Sequence, residues 1–315
     1  LLLSGGNDRL NTNGSITLVG GVMDLGGASQ NTSGLVVLTG GTLQSGSLIS
    51  NALVFDGRSG LVSAVLGGAV GLNKTGTGEL VLVNTNMYSG LTTVSEGSLM
   101  LRGGDNRLNT SGSVSAQGGV LDFGGFTQNT AGLVLLAGGT VQNGFLNSNA
   151  LNFEALGGVV SAVLGGSVGL SKDGEGILIL NSVNTYTGLT TINAGSLVLS
   201  GGDNRLSTGG SITINAGVLD LGNAAQSTTG LLFFNGGTVQ NGSLIANAQD
   251  FDGRAGFVSA VLGGSVGLNK SGSGQLVLSG SNRYTGLTSV NAGSLVLSGG
   301  DDRLNTASSI SVLGG

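Results

Sequence analysis

Thr75–Gly104 reads TGTGELVLVNTNMYSGLTTVSEGSLMLRGG. The stretch returns as DGEGILILNSVNTYTGLTTINAGSLVLSGG at Asp173–Gly202 and as SGSGQLVLSGSNRYTGLTSVNAGSLVLSGG at Ser271–Gly300. The offset is 98 residues each time, and the rest of the chain is phased to it. Residues 1–98, 99–196 and 197–294 are three full copies, and 295–315 begin a fourth. A repeat this long contains smaller structural units. In the third copy a phrase of apolar-x-apolar, Gly, apolar-x-apolar is anchored at Gly195, Gly217, Gly237, Gly256, Gly274 and Gly293, with spacings of 22, 20, 19, 18 and 19 residues. The first copy has Gly21, Gly41, Gly60, Gly78 and Gly97 at matching places. Each 98-mer is therefore five units of roughly 20 residues.

Inside a unit the apolar period is two. Leu276 and Leu278 share a face in Gln275–Gly280, as do Ile212 and Ile214 in Ser211–Ala216. Gly and β-branched residues dominate, and no helical apolar face persists. Short strands broken by Gly and Asn at corners describe a coil that turns about three times per unit. A meander of hairpins is the competing fold, and Asn13-Gly14, Asn143-Gly144 and Asn241-Gly242 would supply a few of its turns. A unit recurring in one direction stacks most simply in parallel on its own copy. The expected fold is all-β: a single parallel β-helix (β-solenoid) over 1–315, of about 16 rungs, three 98-residue repeats plus one rung. At about 4.8 Å per rung this makes a rod of roughly 77 Å. One rung cannot bury its apolar side chains alone; stacking gives a continuous core. Leu80 and Leu82, Leu99 and Leu101, and Val22 and Asp24 fall at related offsets from their anchors. On that alternation Asp24, Asp122 and Asp220 threaten to face inward, where an unpaired carboxylate is costly, so outward placement or pairing at a corner is expected.

Composition excludes several functions. The 315 residues include 64 Gly and no Pro, Cys, His or Trp; 39% are apolar and 9% charged, with a net charge of −5. The chain is too apolar for disorder and lacks the collagen period. There is no basic field for nucleic acid. Without Cys and His there are no disulfides or thiolate metal sites, and the commonest general base is missing. No apolar run reaches the ~18–20 residues of a membrane helix, so no membrane insertion is expected in this window. The chain opens on Leu1 in mid-pattern, without Met or a signal peptide, and neither Leu1-Leu2-Leu3 nor Val312-Leu313 reads as a polar cap. It reads as a window cut from a longer chain, or as a subunit that stacks end to end.

The pattern Gly76, Gly78, Leu80, Leu82, Asn86, Tyr88, Gly90, Thr92, Val94, Gly97, Leu99, Leu101 resembles the autotransporter-associated β-strand repeat. The copies at 173–202 and 271–300 match closely, and the resemblance covers about 30 residues in each 98. It implies a right-handed β-helix in the exported passenger of a large bacterial surface protein. Such passengers serve in adhesion, aggregation or extracellular fibres, and the family brings no catalytic residues and no cofactor.

Several constellations admit both a functional and a plain structural role. Tyr88, Tyr186 and Tyr284 occupy one repeat position, either as a sugar-stacking face or as corner residues packed over a neighbouring turn. Tyr88 lies ten residues after Gly78, and Arg107 ten after Gly97; Tyr186/Arg205 and Tyr284/Arg303 repeat this. Stacking is expected to bring each Arg beside a ring one rung below, a structural clip through a cation–π contact of about 0.5–1 kcal/mol. Asn31, Asn51, Asn129, Asn149 and Asn247, with Ser227, also lie ten past their anchors and read as a polar ladder. Asp105-Asn106-Arg107, Asp203-Asn204-Arg205, Asp301-Asp302-Arg303 and Asn7-Asp8-Arg9 suggest turns rather than calcium repeats, whose ligands recur every nine or so residues. A polysaccharide-degrading β-helix gathers its charged groups on adjacent rungs. Lys74, Lys172 and Lys270 recur once per five rungs, and Glu154 merely replaces Asp56 and Asp252. Thr-x-Thr does not recur on consecutive rungs, as an ice-binding face requires. The expected function is thus a structural or adhesive extracellular rod or filament at a bacterial cell surface, self-associating end to end or laterally. The alternative is a module for a cell-surface glycan, with a β-helical enzyme behind it.

Overall fold

A computed structural model describes residues 1–314, and among these there is no helix. The chain is an all-β parallel β-solenoid of about sixteen turns. It divides into two compact units: Leu1–Leu151 with Ser161–Leu164, and Asn152–Val160 with Gly165 onward.

In the first unit one face runs through the register Ile16–Val36–Phe55–Leu72–Thr92–Val114–Val134, every pairing parallel. In the second unit the equivalent face runs Phe153–Leu170–Thr190–Ile212–Leu232–Phe251–Leu268–Thr288–Ile310. Parallel stacking lets like side chains form columns. Val36, Phe55, Leu72, Leu170, Phe251 and Leu268 are all fully buried. Each such aliphatic or aromatic side chain contributes about 1.5–3 kcal/mol by leaving water.

Polar residues inside the coil are there because something local needs them. Gln128, 1% exposed, accepts from Leu108 N at 2.9 Å and donates to Leu108 O at 3.1 Å. Its amide acts as a short strand for the backbone of Leu108. Gln226 treats Leu206 the same way, at 2.9 and 3.2 Å. Thr130 Oγ1 donates to Gly112 O at 2.6 Å, and Thr228 Oγ1 to Gly210 O at 2.6 Å. Buried main-chain groups of irregular segments are thereby satisfied.

Two expectations of register differ from the structure. Gly60 pairs with Leu80, not Gly78, and Gly158 and Gly256 likewise pair with Leu178 and Leu276. The fourth anchor is two residues out of register. Val22 and Asp24 also face the other way. Val22 is 50% exposed, while Met23 and Leu25 fill the core. Asp24 points outward and is held by Gly26 N and Gln44 Nε2, both at 2.8 Å. Asp122 is held by Gly124 N, Gln142 Nε2 and Asn143 Nδ2, and Asp220 by Gly222 N, Gln240 Nε2 and Asn241 Nδ2. Pairing at a corner, one of the two resolutions expected, holds all three carboxylates through hydrogen bonds.

Candidate functional site

The thrice-repeated corner begins at Asn86. This buried side chain accepts from Leu66 N at 2.9 Å and donates to Asn84 O and Arg107 O at 3.0 and 2.9 Å. Two residues on, the chain turns inward and Tyr88 is sealed, 1% exposed. Its ring lies 6.2 Å from that of Phe55, and its hydroxyl meets Thr92 Oγ1 at 2.8 Å. That contact explains why Thr interrupts an apolar column at 92, 190 and 288. Tyr186 packs 6.1 Å from Phe153 and reaches Thr190; Tyr284 packs 5.9 Å from Phe251 and reaches Thr288, both hydroxyl contacts at 2.7 Å. Burial pushes all three phenols well above the ordinary tyrosine range. No ring face is open for a sugar.

The arginines fasten this corner through carbonyl oxygens. Arg107 Nη1 donates to Val83 O at 2.8 Å, one rung below, and Nη2 to Asp105 O at 2.9 Å. Arg205 Nη1 reaches Asn181 O at 2.8 Å, and Arg303 Nη1 reaches Ser279 O at 2.6 Å. The guanidinium–ring contact found among the described residues lies elsewhere, with Arg254 4.7 Å over Phe233. The Asp-Asn-Arg turn docks on the next rung. Asp105 Oδ1 accepts from Thr127 N and Asn106 Oδ1 from Asn129 N, each at 2.8 Å, with Asn106 at φ +55°. Asp203 and Asn204 repeat this on Ala225 N and Ser227 N. The Asn positions expected to form a ladder do not stack on one another: Asn31 pairs with Ile49 and Asn129 with Asn147, while Asn129 Nδ2 meets Asn106 Oδ1 at 3.0 Å and Asn31 Nδ2 meets Asp8 Oδ1 at 2.8 Å. Among the described residues no three potential metal ligands gather.

Sequence reasoning missed the lysines. Lys74, Lys172 and Lys270 are fully buried. Leu72 and Lys74 share the inward parity of one three-residue strand, and the signal for this was the alternation itself. Lys74 Nζ donates to Thr75 O, Gly76 O and Glu96 O at 2.8, 2.6 and 2.9 Å. Lys172 is bound to Gly174 O and Ala194 O, and Lys270 to Gly272 O and Ala292 O. Desolvation draws all three below the usual lysine range. Gly97 is required beside Lys74: its φ is +63°, and a Cβ there would sit 2.4 Å from two carbonyl oxygens and 2.7 Å from Nζ.

Two departures from the repeat bear on chemistry. Glu154 and Asp173 stand where the other copies pair Asp56 with Thr75 and Asp252 with Ser271. Burial, then the adjoining Asp173, raises Glu154, while Ser171 and other donors lower Asp173. The two carboxyls adjoin, and their like charge adds to the burial that raises Glu154. The second break is larger. Met100, Arg102, Phe126 and Phe145 replace Val198, Ser200, Ala224 and Ser243 of the third copy, and Leu2, Ser4, Ala28 and Ser47 of the first. All four line one open groove of about 830 Å³ in the first unit. Comparing copies column by column finds them from sequence alone.

The sequence profile of the passenger-associated-transport-repeat family matches residues 72–101, 170–199, 194–221 and 268–297. The chain is similar to a protein described as adhesin BmaC autotransporter, from Brucella suis biovar 1 (strain 1330), with 32% identity over 250 residues. That alignment covers 72% of this chain and 7% of the relative, so the chain spans a small part of the relative's length. No solved structure matches the chain.

Proposed function

Because this chain belongs to the autotransporter passenger repeat family, we propose that it works outside the cell as an adhesive, structural β-solenoid segment and performs no catalysis. The observation that carries this reading is where the family repeat puts its distinctive residues. Within the matched residues 72–101, Lys74, Asn86, Tyr88 and Thr92 are all buried and bonded to neighbouring turns. The motif builds the coil and leaves its outer surface to vary. Few charges and many Ser, Thr and Asn on that surface suit broad, weak contact. Half-exposed Leu91 and Leu133 in the first unit, and Leu189, Leu231 and Leu287 in the second, give lateral or end-to-end self-association an apolar contribution. The name of the relative supports an adhesive role, and its family supports display at a bacterial cell surface.

Beads coated with the purified chain test this. They are expected to attach to cultured cells more than beads coated with an unrelated β-protein, and electron microscopy is expected to show associated particles. Attachment no better than the control, or release of reducing sugars from mixed polysaccharides, would falsify the reading. A second reading, glycan recognition, is favoured by the groove at Phe126 and Phe145.

A further inference from the structure

In a chain of aligned repeat copies, each copy is a control for the others. Met100, Arg102, Phe126 and Phe145 depart from the repeat and converge on one groove, although they come from three successive turns. Phe126 and Phe145 are neighbours across one rung: Phe145 N donates to Phe126 O at 3.0 Å. Rung spacing sets their backbones about 4.8 Å apart. They remain 36% and 46% exposed, where the other copies have Ala and Ser. Exposed paired aromatics with no packing role in the sister copies mark a surface kept for contact.

The polar groups around them are unequal. Both oxygens of Asp122 are taken, by Gly124 N at 2.8 Å and by Gln142 Nε2 and Asn143 Nδ2 at 2.8 and 2.7 Å. Main-chain groups are closed as well, with Gly125 N on Asn143 O at 2.6 Å. The groove therefore has no free edge for an added peptide strand. Arg102 is different. Its Nε faces Met100 Sδ at 2.7 Å, and its terminal nitrogens carry no hydrogen bond or ion pair among the described residues. The complement is a planar anion, which a guanidinium holds through two parallel hydrogen bonds, joined to a body with a flat C–H face. The groove is shallow and open, so the bound body keeps one side in water. A hydrocarbon tail would stay half wet there; a hydroxylated ring would not suffer.

We propose that this groove binds a carboxylate-bearing sugar residue of a glycan, with the ring face on Phe126 and Phe145 and the carboxylate on Arg102. The assignment deepens the adhesive reading and rests on it for its biological setting, but soluble sugars test it separately from attachment.

The full chain is titrated with sialyllactose, with a glucuronate-containing disaccharide and with lactose, followed by NMR or calorimetry. At least one acidic sugar is expected to bind with a Kd on the order of 1 mM, and lactose at least tenfold more weakly. Arg102→Ser is expected to weaken acidic-sugar binding about tenfold, and Phe126→Ala with Phe145→Ser to abolish it. These variants install residues that the other copies already carry, so an unchanged melting temperature is expected and excludes misfolding as the cause. Lactose binding as tightly as the acidic sugars overturns the proposal. So does undiminished binding by either variant, no binding of either acidic sugar, or preference for a medium-chain fatty acid or a peptide. No acidic-sugar binding by the unmodified chain, with its bead attachment intact, would sink the groove assignment and leave the adhesive role standing.

Discussion

Replacing Tyr88 by Phe is expected to reverse its effect on stability as pH rises. At neutral pH the variant loses the hydroxyl contact with Thr92, made at 2.8 Å inside the core. A buried hydrogen bond of this kind is worth about 1 kcal/mol. Burial raises the folded phenol's pKa above its unfolded value of 10.0. A raised folded pKa contributes stability that is fully present below the unfolded pKa and is lost as pH climbs toward the folded one. Above pH 10 the unfolded chain releases a proton that the folded chain keeps, and the protein loses about 1.4 kcal/mol per pH unit per tyrosine. At pH 11 the accumulated loss per tyrosine is about 1.4 kcal/mol, and the curves of the parent and Tyr88→Phe cross near about pH 10.6.

Urea melts across that range, read by circular dichroism, measure the crossing. The buried lysines act oppositely: their lowered folded pKa values favour folding as pH rises toward 10.5. That contribution is common to parent and variant and cancels in the difference. Tyrosinate absorbance gives a second readout, clean because the chain has three Tyr and no Trp. Ionisation is expected only with unfolding. The unit holding Tyr88 should show a tyrosine slope of about 1.4 kcal/mol per pH unit, and that holding Tyr186 and Tyr284 about twice this. Ordinary titration near pH 10 with the dichroism unchanged, or parallel stability curves that never cross, would refute the reasoning.

Lys74→Met strips three buried carbonyls of their donor and is expected to cost about 3 kcal/mol after the gain from not burying an ammonium; a urea midpoint unchanged from the parent would show that the ammonium is no anchor. Glu154→Gln is expected to stabilise the second unit by about 0.2–1 kcal/mol at neutral pH by removing like charges. Because the folded pKa of Glu154 is raised, its stabilising protonated form is complete below 4.5 and lost as pH rises, so the benefit of Gln should vanish in acid; a melting-temperature gain that persists in acid contradicts this. Leu278→Asp places a carboxylate at a fully buried position, between buried Val258 and half-exposed Leu297, and should cost more than about 4 kcal/mol. An unaltered melting profile would mean that Leu278 does not face inward.

Period and strand direction were legible because they are properties of spacing. Leu276 and Leu278, and Ile212 and Ile214, do share buried faces. Parity at single residues was harder. Val22 looked inward because it is apolar, yet the inward residue after the positive-φ Gly21 is the second one, Met23, as Leu99 is after Gly97. The lysines are the converse case: alternation with Leu72 places Lys74 inside, where main-chain carbonyls at the turn replace water. Spacing could align Tyr88 with Arg107 by rung. It could not show that the ring turns inward to Thr92 while the guanidinium seeks carbonyl oxygens.

These errors and the groove share one physical cause. An inward residue is constrained by the rungs above and below it, so its column tolerates change only when a local group demands it, as Tyr88 demands Thr92. An outward residue answers to its column only where it is hydrogen-bonded there, as Asp24 is to Gln44. Ser200 and Arg102 occupy the same repeat position, as do Ala224 and Phe126, and the strands around them keep the same parallel register. Substituting outward positions thus redraws the surface while the coil that carries it stays fixed. Repetition makes the inward code readable from any one copy. Chemistry specific to this chain has to be sought in outward residues that the copies do not share, among them the four that converge around Phe126 and Phe145.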